Sequence, residues 1–269
     1  MLEKIKYVNH INEAIDFGKN GLYVNENELR AFDLSYDVYN NDIRNVRKEI
    51  RGKKLPIVVV GSNRFATLDS ILNVAEKDVI DGIPGRLYIG DWYVEGYILG
   101  TKPSGYTRRG STNDELTFVS ISQFWMREKI YTFRHTERPD GDGLGYPYDY
   151  PYAYLSNVEV MSMINSFYSA ADFIIKFYGP ASNPQVTIND HVYAVDTEVG
   201  SGEFLTINSL KKTIILIEND GIEVNKFADR DTSSYVFEKI PSGTNSLAAG
   251  SAYDFDVTLI EERRAPAWT

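Results

Sequence analysis

Along most of this chain hydrophobic side chains recur at every second position. Tyr253, Phe255, Val257 and Leu259 alternate with Asp254, Asp256 and Thr258, the pattern of a strand that buries one face and wets the other. Leu55-Pro56-Ile57-Val58-Val59-Val60 is a continuous apolar run closed by Gly61. Leu87 to Ile89 is joined to Trp92 to Ile98 by Gly90-Asp91, a pair suited to a tight hairpin. Further turns at Asn20-Gly21, Asn189-Asp190, Asp220-Gly221 and Pro241-Ser242-Gly243 are spaced as a sandwich or barrel requires. Helical periodicity is clearest in Thr67 to Lys77, where Leu68, Ile71, Leu72 and Ala75 fall on one face and Thr67 is the expected cap. The chain is therefore predicted to be mainly β with one notable helix.

The composition shifts between Glu137 and Tyr154, where Gly and Pro exclude regular structure. This predicts a first domain over 1–137, a Gly/Pro/Tyr-rich connector over 138–154 and an antiparallel β-sandwich over 155–269. Tyr146, Tyr148, Tyr150 and Tyr152 alternate strictly, and Pro147 and Pro151 favour extension, so their rings are expected to share a face against the two domains, a neighbouring chain or sugars.

Composition narrows the chemistry. The 269 residues carry 28 basic and 38 acidic side chains, a net charge of -10, and 43% apolar residues, the balance of a soluble globular protein. An acidic chain is a poor nucleic-acid binder, because phosphate recognition needs a positive surface, so no sequence-specific nucleic acid is expected as a partner. The basic run from Arg44 to Lys54 reads as a solvated or subunit-facing element. No apolar run reaches the roughly 18 residues needed to cross a bilayer, and the start Met1-Leu2-Glu3-Lys4 lacks a signal peptide's apolar block, so no membrane is expected. With no cysteine, disulfides and thiolate chemistry are excluded, and stability must come from packing.

Candidate catalytic groups are sparse. His10, His135 and His191 lie at no metal-ligand spacing, and His191 reads as a surface residue at a strand start. Neither a Gly-x-Ser-x-Gly elbow nor a phosphate-cradling Gly-x-x-x-x-Gly-Lys occurs. Asp140-Gly141-Asp142-Gly143 resembles the start of a calcium loop, but the twelfth position holds Pro151 where an EF-hand needs glutamate. A glycosidase is not excluded, since it needs two facing carboxylates at a separation the sequence does not show. No cofactor, metal or catalytic residue is assigned. The 19 Tyr, 13 Phe and 3 Trp suit a sandwich core or a protein interface, with Trp92 and Tyr93 on the predicted hairpin as interaction candidates beside Tyr146, Tyr148, Tyr150 and Tyr152.

Several strings in order resemble the distal tail protein family of bacteriophages with long non-contractile tails. In the first half these are Ile15-Asp16-Phe17-Gly18, Leu34-Ser35-Tyr36-Asp37-Val38, Asp78-Val79, Pro84-Gly85-Arg86-Leu87-Tyr88-Ile89-Gly90-Asp91-Trp92-Tyr93 and Phe124-Trp125. The linker contributes Tyr146-Pro147-Tyr148-Asp149-Tyr150-Pro151-Tyr152. The second half adds Tyr178-Gly179-Pro180, Gly202-Glu203-Phe204-Leu205, Phe237-Glu238-Lys239-Ile240-Pro241-Ser242-Gly243 and Arg263-Arg264-Ala265-Pro266-Ala267-Trp268. Asn208 stands where the family often carries Asp.

The resemblance implies a non-enzymatic virion protein at the tail tip, assembled in the host bacterial cytoplasm. It implies an N-terminal β-sandwich-like domain with a helix and hairpin that builds a homohexameric ring, and a galectin-like or carbohydrate-module-like outer sandwich. The partners it implies are the tail tube protein, the tail-associated lysin or fibre protein and a receptor-binding protein. Acidity would then suit a conduit through which DNA slides. The alternative reading is a carbohydrate-binding module for host cell-wall sugars.

Overall fold

The computed structural model describes residues 4–32, 34–48, 52–106, 110–122, 124–134, 160–249 and 253–268. It separates into two compact units, Met1–Arg127 with Glu262–Thr269, and Glu128–Glu261. Among the described residues no helix is long and apolar enough to cross a membrane.

The first unit contains β1 (Ile5–Val8), β2 (Ala14–Phe17), β3 (Leu22–Val24), β4 (Leu34–Tyr39), β5 (Asp42–Lys48), β6 (Gly52–Val60), α1 (Arg64–Asp81), β7 (Gly85–Ile89), β8 (Trp92–Tyr106), β9 (Ser111–Ser120) and the start of β10 (Trp125–Phe133). Its sheet runs β2-β1-β7-β8-β9-β6-β3, with antiparallel neighbours throughout. β9 buries every second residue, as its alternating sequence requires. Tyr7, Leu55, Ile57, Leu87, Phe118 and Trp125 form the centre of the core, and α1 closes it with Ile71 and Ala75. β7 and β8 are the predicted hairpin, with Ile89 opposite Trp92 across Gly90-Asp91.

The helix is longer than its periodic stretch. It starts after Asn63 and ends at Gly82, whose left-handed φ of 66° closes the last turn. Thr67 is not its cap: it lies inside the helix, its hydroxyl donating to the Asn63 carbonyl at 3.3 Å. The first turn escaped detection because Phe65, its large apolar residue, faces outward.

The second unit contains β11 (Val160–Asn165), β12 (Asp172–Tyr178), β13 (Ala181–Ser182), β14 (Gln185–Ile188), β15 (His191–Ala194), β16 (Glu198–Val199), β17 (Phe204–Asn208), β18 (Thr213–Ile217), β19 (Glu223–Asn225), β20 (Gly243–Ala249) and most of β21 (Phe255–Arg263). One antiparallel sheet runs β19-β18-β17-β12-β21, and a second runs β11-β20-β14-β15. Phe173, Ile175, Phe177, Leu205, Ile207 and Val257 from the first share one core with Val186, Ile188, Tyr193 and Leu247 from the second. This is a β-sandwich. Tyr253, Phe255, Val257 and Leu259 are all buried, as their alternation predicts. The Asn189-Asp190 turn joins β14 to β15, with Asn189 at φ 44°, a left-handed position that Asn tolerates.

The division differs from the expected 1–137, 138–154 and 155–269. Residues from Glu262 onward belong to the first unit, because Ala267 packs on its core and Arg30 donates to the carbonyls of Pro266 at 2.5 Å and Ala267 at 2.9 Å. Long-range pairing of this kind leaves no compositional mark. The proposed connector lies outside the described residues.

Candidate assembly surfaces

The side chains of the first unit are tied across long sequence separations by one buried carboxylate. Asp78 sits on the inner face of α1, accepts hydrogen bonds from the Tyr7 hydroxyl and from the His10 backbone N–H at 2.9 Å, and lies 2.6 Å from His10 Nδ1. His10 Nε2 is 3.0 Å from Asp81, so the imidazole spans two carboxylates at the end of the helix. Burial and the bond to Asp78 hold the Tyr7 phenol well above its ordinary value. Beside it Lys77 donates to Glu13 at 2.6 Å and Asn9 donates to Glu13 at 2.8 Å, and these bonds hold the Glu13 carboxyl below its usual range. Gly85 passes directly over the pair, since a Cβ there would collide with both the Tyr7 hydroxyl and Asp78. The cluster pins β1 and the helix end together. The polar side chains of the cluster are partnered within the chain, so it reads as structural.

Trp92 and Tyr93 are 3% and 6% exposed. Arg127 and Arg263 lie over the Trp92 ring at 4.9 and 5.7 Å, and Arg86 lies 4.5 Å over Tyr93, itself 5.6 Å from Tyr88. Both rings are therefore buried within the first unit against side chains of their own chain. Tyr146, Tyr148, Tyr150 and Tyr152 lie outside the described residues, as do His135 and the Asp140–Asp142 string.

The exposed surfaces lie elsewhere. β2 and β3, the two edges of the first unit's sheet, flank a groove of about 850 Å³ lined by Lys6, Asp16, Phe17, Tyr23, Asn25 and Tyr88. Among the described residues β4 and β5 pair only with one another and form a separate two-stranded arm. In the second unit a pocket of about 430 Å³ is walled by Phe227, Tyr235 and Phe237, with Lys212 5.5 Å over Tyr235 and Arg230 4.2 Å over Phe227. His191 starts β15, with Nε2 2.9 Å from the Tyr235 carbonyl, and is held as a strand-end residue. Among the described residues no group of three or more His, Asp or Glu could hold a metal ion.

No family model matches the chain, and no curated protein matches it. Solved structures do. A chain of the phage P2 baseplate, in its activated conformation with calcium, has a TM-score of 0.64 at 11% identity over 99% of this chain and 100% of that chain. The same baseplate with strontium gives 0.64 at 10%, covering 99% and 100%. The SPP1 Dit protein, described as a paradigm of the hub adsorption apparatus in phages infecting Gram-positive bacteria, gives 0.58 at 9% over 98% of this chain and 100% of that chain. The likeness runs through both units from end to end, so the chain has the mainly β fold of the phage distal tail, or Dit, hub proteins.

Proposed function

We propose that this protein is a structural hub of a phage tail tip, assembling through its first unit into a homohexameric ring. The ring joins the tail tube protein to the tail-associated lysin or fibre protein, and the second unit carries the receptor-binding protein. The observation that supports this best is the match of both units, in one chain, to a chain of the phage P2 baseplate and to the SPP1 Dit hub protein over their full lengths. The surface chemistry agrees, since the first unit exposes an apolar arm and an apolar helix face of the kind that heterologous contacts cover. Catalysis has no part in it. The test is mass by light scattering with negative-stain microscopy of the full chain: hexameric rings are expected, and a monomer at micromolar concentration with no ring overturns the reading.

A second reading has one observation in its favour. Exposed Phe227 and Tyr235 with Lys212 and Arg230 above their rings suit stacking on a sugar that carries negative charge. A glycan array separates the two, because a hub needs no sugar affinity.

A further inference from the structure

We infer that the pocket around Phe237 in the second unit binds an acidic pyranose, a sugar ring that carries a carboxylate or a phosphate. The inference rests on the sugar reading, to which it gives a site and a ligand class, and is independent of the ring.

The pocket is built before any ligand arrives. Its wall runs beside β15, the edge strand of the second sheet, and is tied to it at three points. The Asp231 backbone N–H donates to the Ala194 carbonyl at 3.1 Å, the Ser234 hydroxyl donates to the Val192 carbonyl at 2.6 Å, and His191 Nε2 lies 2.9 Å from the Tyr235 carbonyl. Phe237, buried in the sandwich core, fixes the rings: Phe227 stacks on it at 6.0 Å and Tyr235 meets it edge-on at 5.9 Å. Groups held in this way lose little freedom on binding. The volume of about 430 Å³ suits a small ligand and not a protein face.

Charge selects the ligand. Acidic side chains outnumber basic ones in this unit, yet Lys212 and Arg230 both converge on the pocket. Lys212 lies 5.5 Å over Tyr235 and 5.4 Å over Phe237, and Arg230 lies 4.2 Å over Phe227. Each donates to a backbone carbonyl, Lys212 to Phe237 at 3.4 Å and Arg230 to Phe227 at 2.7 Å, and among the described residues neither is paired with a carboxylate. Asp231, the acid of the wall, is turned to Ser233, accepting its hydroxyl at 2.6 Å and its backbone N–H at 2.7 Å, and these bonds hold its carboxyl below the usual range. The pocket is thus left with positive charge to offer an anion.

The rest of the lining asks for more than an anion. Thr232, Ser233 and Ser234 follow one another in the wall. Ser233 and Ser234 donate their own protons to Asp231 and Val192, so their oxygens remain as acceptors for hydroxyl groups of a ligand. Phe227 and Tyr235, 38% and 55% exposed, present ring surface for an apolar face. An acidic sugar brings all three features. Inorganic phosphate lacks the hydroxyl donors and the apolar face, and an oligoglutamate lacks the hydroxyl donors.

The test is saturation-transfer NMR on the full chain with glucuronate and glucose 6-phosphate as the two anionic arms, and glucose, inorganic phosphate and triglutamate as comparisons. At least one acidic sugar is expected to bind at millimolar concentration, with glucose giving no signal and with phosphate and triglutamate displacing the sugar only at much higher concentration; whichever arm binds says which anion the site takes. Lys212→Ala and Arg230→Ala are each expected to weaken binding at least about threefold, and the double variant to abolish it, with the circular dichroism unchanged. Tyr235→Ala should weaken binding while leaving its salt dependence in place. Equal binding of glucose, equal displacement by triglutamate or phosphate, or an unaltered double variant overturns the inference. If a glycan array finds a ligand whose binding the double variant leaves unchanged, the sugar reading stands and the pocket fails. If neither the acidic sugars nor the array shows binding, both fail and the hub reading is untouched.

Discussion

The two units divide charge and apolar surface between them. Residues 1–127 and 262–269 carry 19 basic and 18 acidic side chains, whereas residues 128–261 carry 9 basic and 20 acidic, so the net charge of -10 resides wholly in the second unit. Among the described residues, 17 of the large apolar side chains left exposed belong to the first unit and seven to the second. A near-neutral surface studded with apolar groups favours association, and a strongly charged one resists it. The first unit's surface thus suits the proposed contact between copies better than the second unit's does. The same division removes the basis for an acidic DNA conduit, because the unit proposed to build the ring holds no excess of negative charge.

The comparison breaks if the units do not behave as separate bodies. Asp78→Ala leaves the Tyr7 hydroxyl and His10 without their buried acceptor and is expected to cost about 3 kcal/mol. Hydrogen exchange should place that loss in residues 4–127, and an equal loss of protection in β12 and β17 would show one cooperative unit instead of two. Gly85→Ala, which forces a Cβ onto the same pair, is expected to follow the same pattern with a smaller cost of about 2 kcal/mol.

Alkaline pH sharpens the comparison, because each unit buries a phenol that folding holds well above its ordinary value. Burial raises Tyr7 in the first unit, helped by its bond to Asp78, and raises Tyr193 in the second, helped by the charge of Glu238. In the unfolded chain both ionise near the ordinary value of 10.0, while in the folded chain they keep their protons. Their contribution is therefore complete below pH 10 and falls as pH rises above it. Denaturant midpoints measured across this range should decline, and Tyr7→Phe or Tyr193→Phe should flatten the decline of its own unit alone. Salt has the smallest effect. Raising ionic strength should stabilise the acidic second unit by roughly 0.5 kcal/mol more than the balanced first unit, as read by exchange of their slowest amides.

Much of the fold was legible because strand burial is written locally. The alternation of Tyr253 to Leu259 and the Gly90-Asp91 turn each specify their structure within a few residues. The helix was legible only where its inner face is apolar, and its last turn buries Asp78, a residue that periodicity counts as polar. Asp78 meets its partners at Tyr7 and His10 across 71 and 68 positions, and no local pattern announces such a bond. Trp92 and Tyr93 show the converse. Their hairpin was evident, but whether a ring faces a partner or an arginine of its own chain depends on Arg127 and Arg263, which arrive from distant segments. The exposed stripe of Phe65, Leu72 and Val79 carries a readable seven-residue signal that was masked by the apolar face beside it.

Residues 262–268 return to the first unit after the whole of the second has been threaded through. On the ribosome, then, the last pieces of the first unit, including Arg263 above Trp92 and the segment that Arg30 holds, emerge after residue 261. The inserted unit has all its residues available before its host does. The first unit therefore cannot complete its packing around Trp92 and Arg30 until every residue of the second has been made.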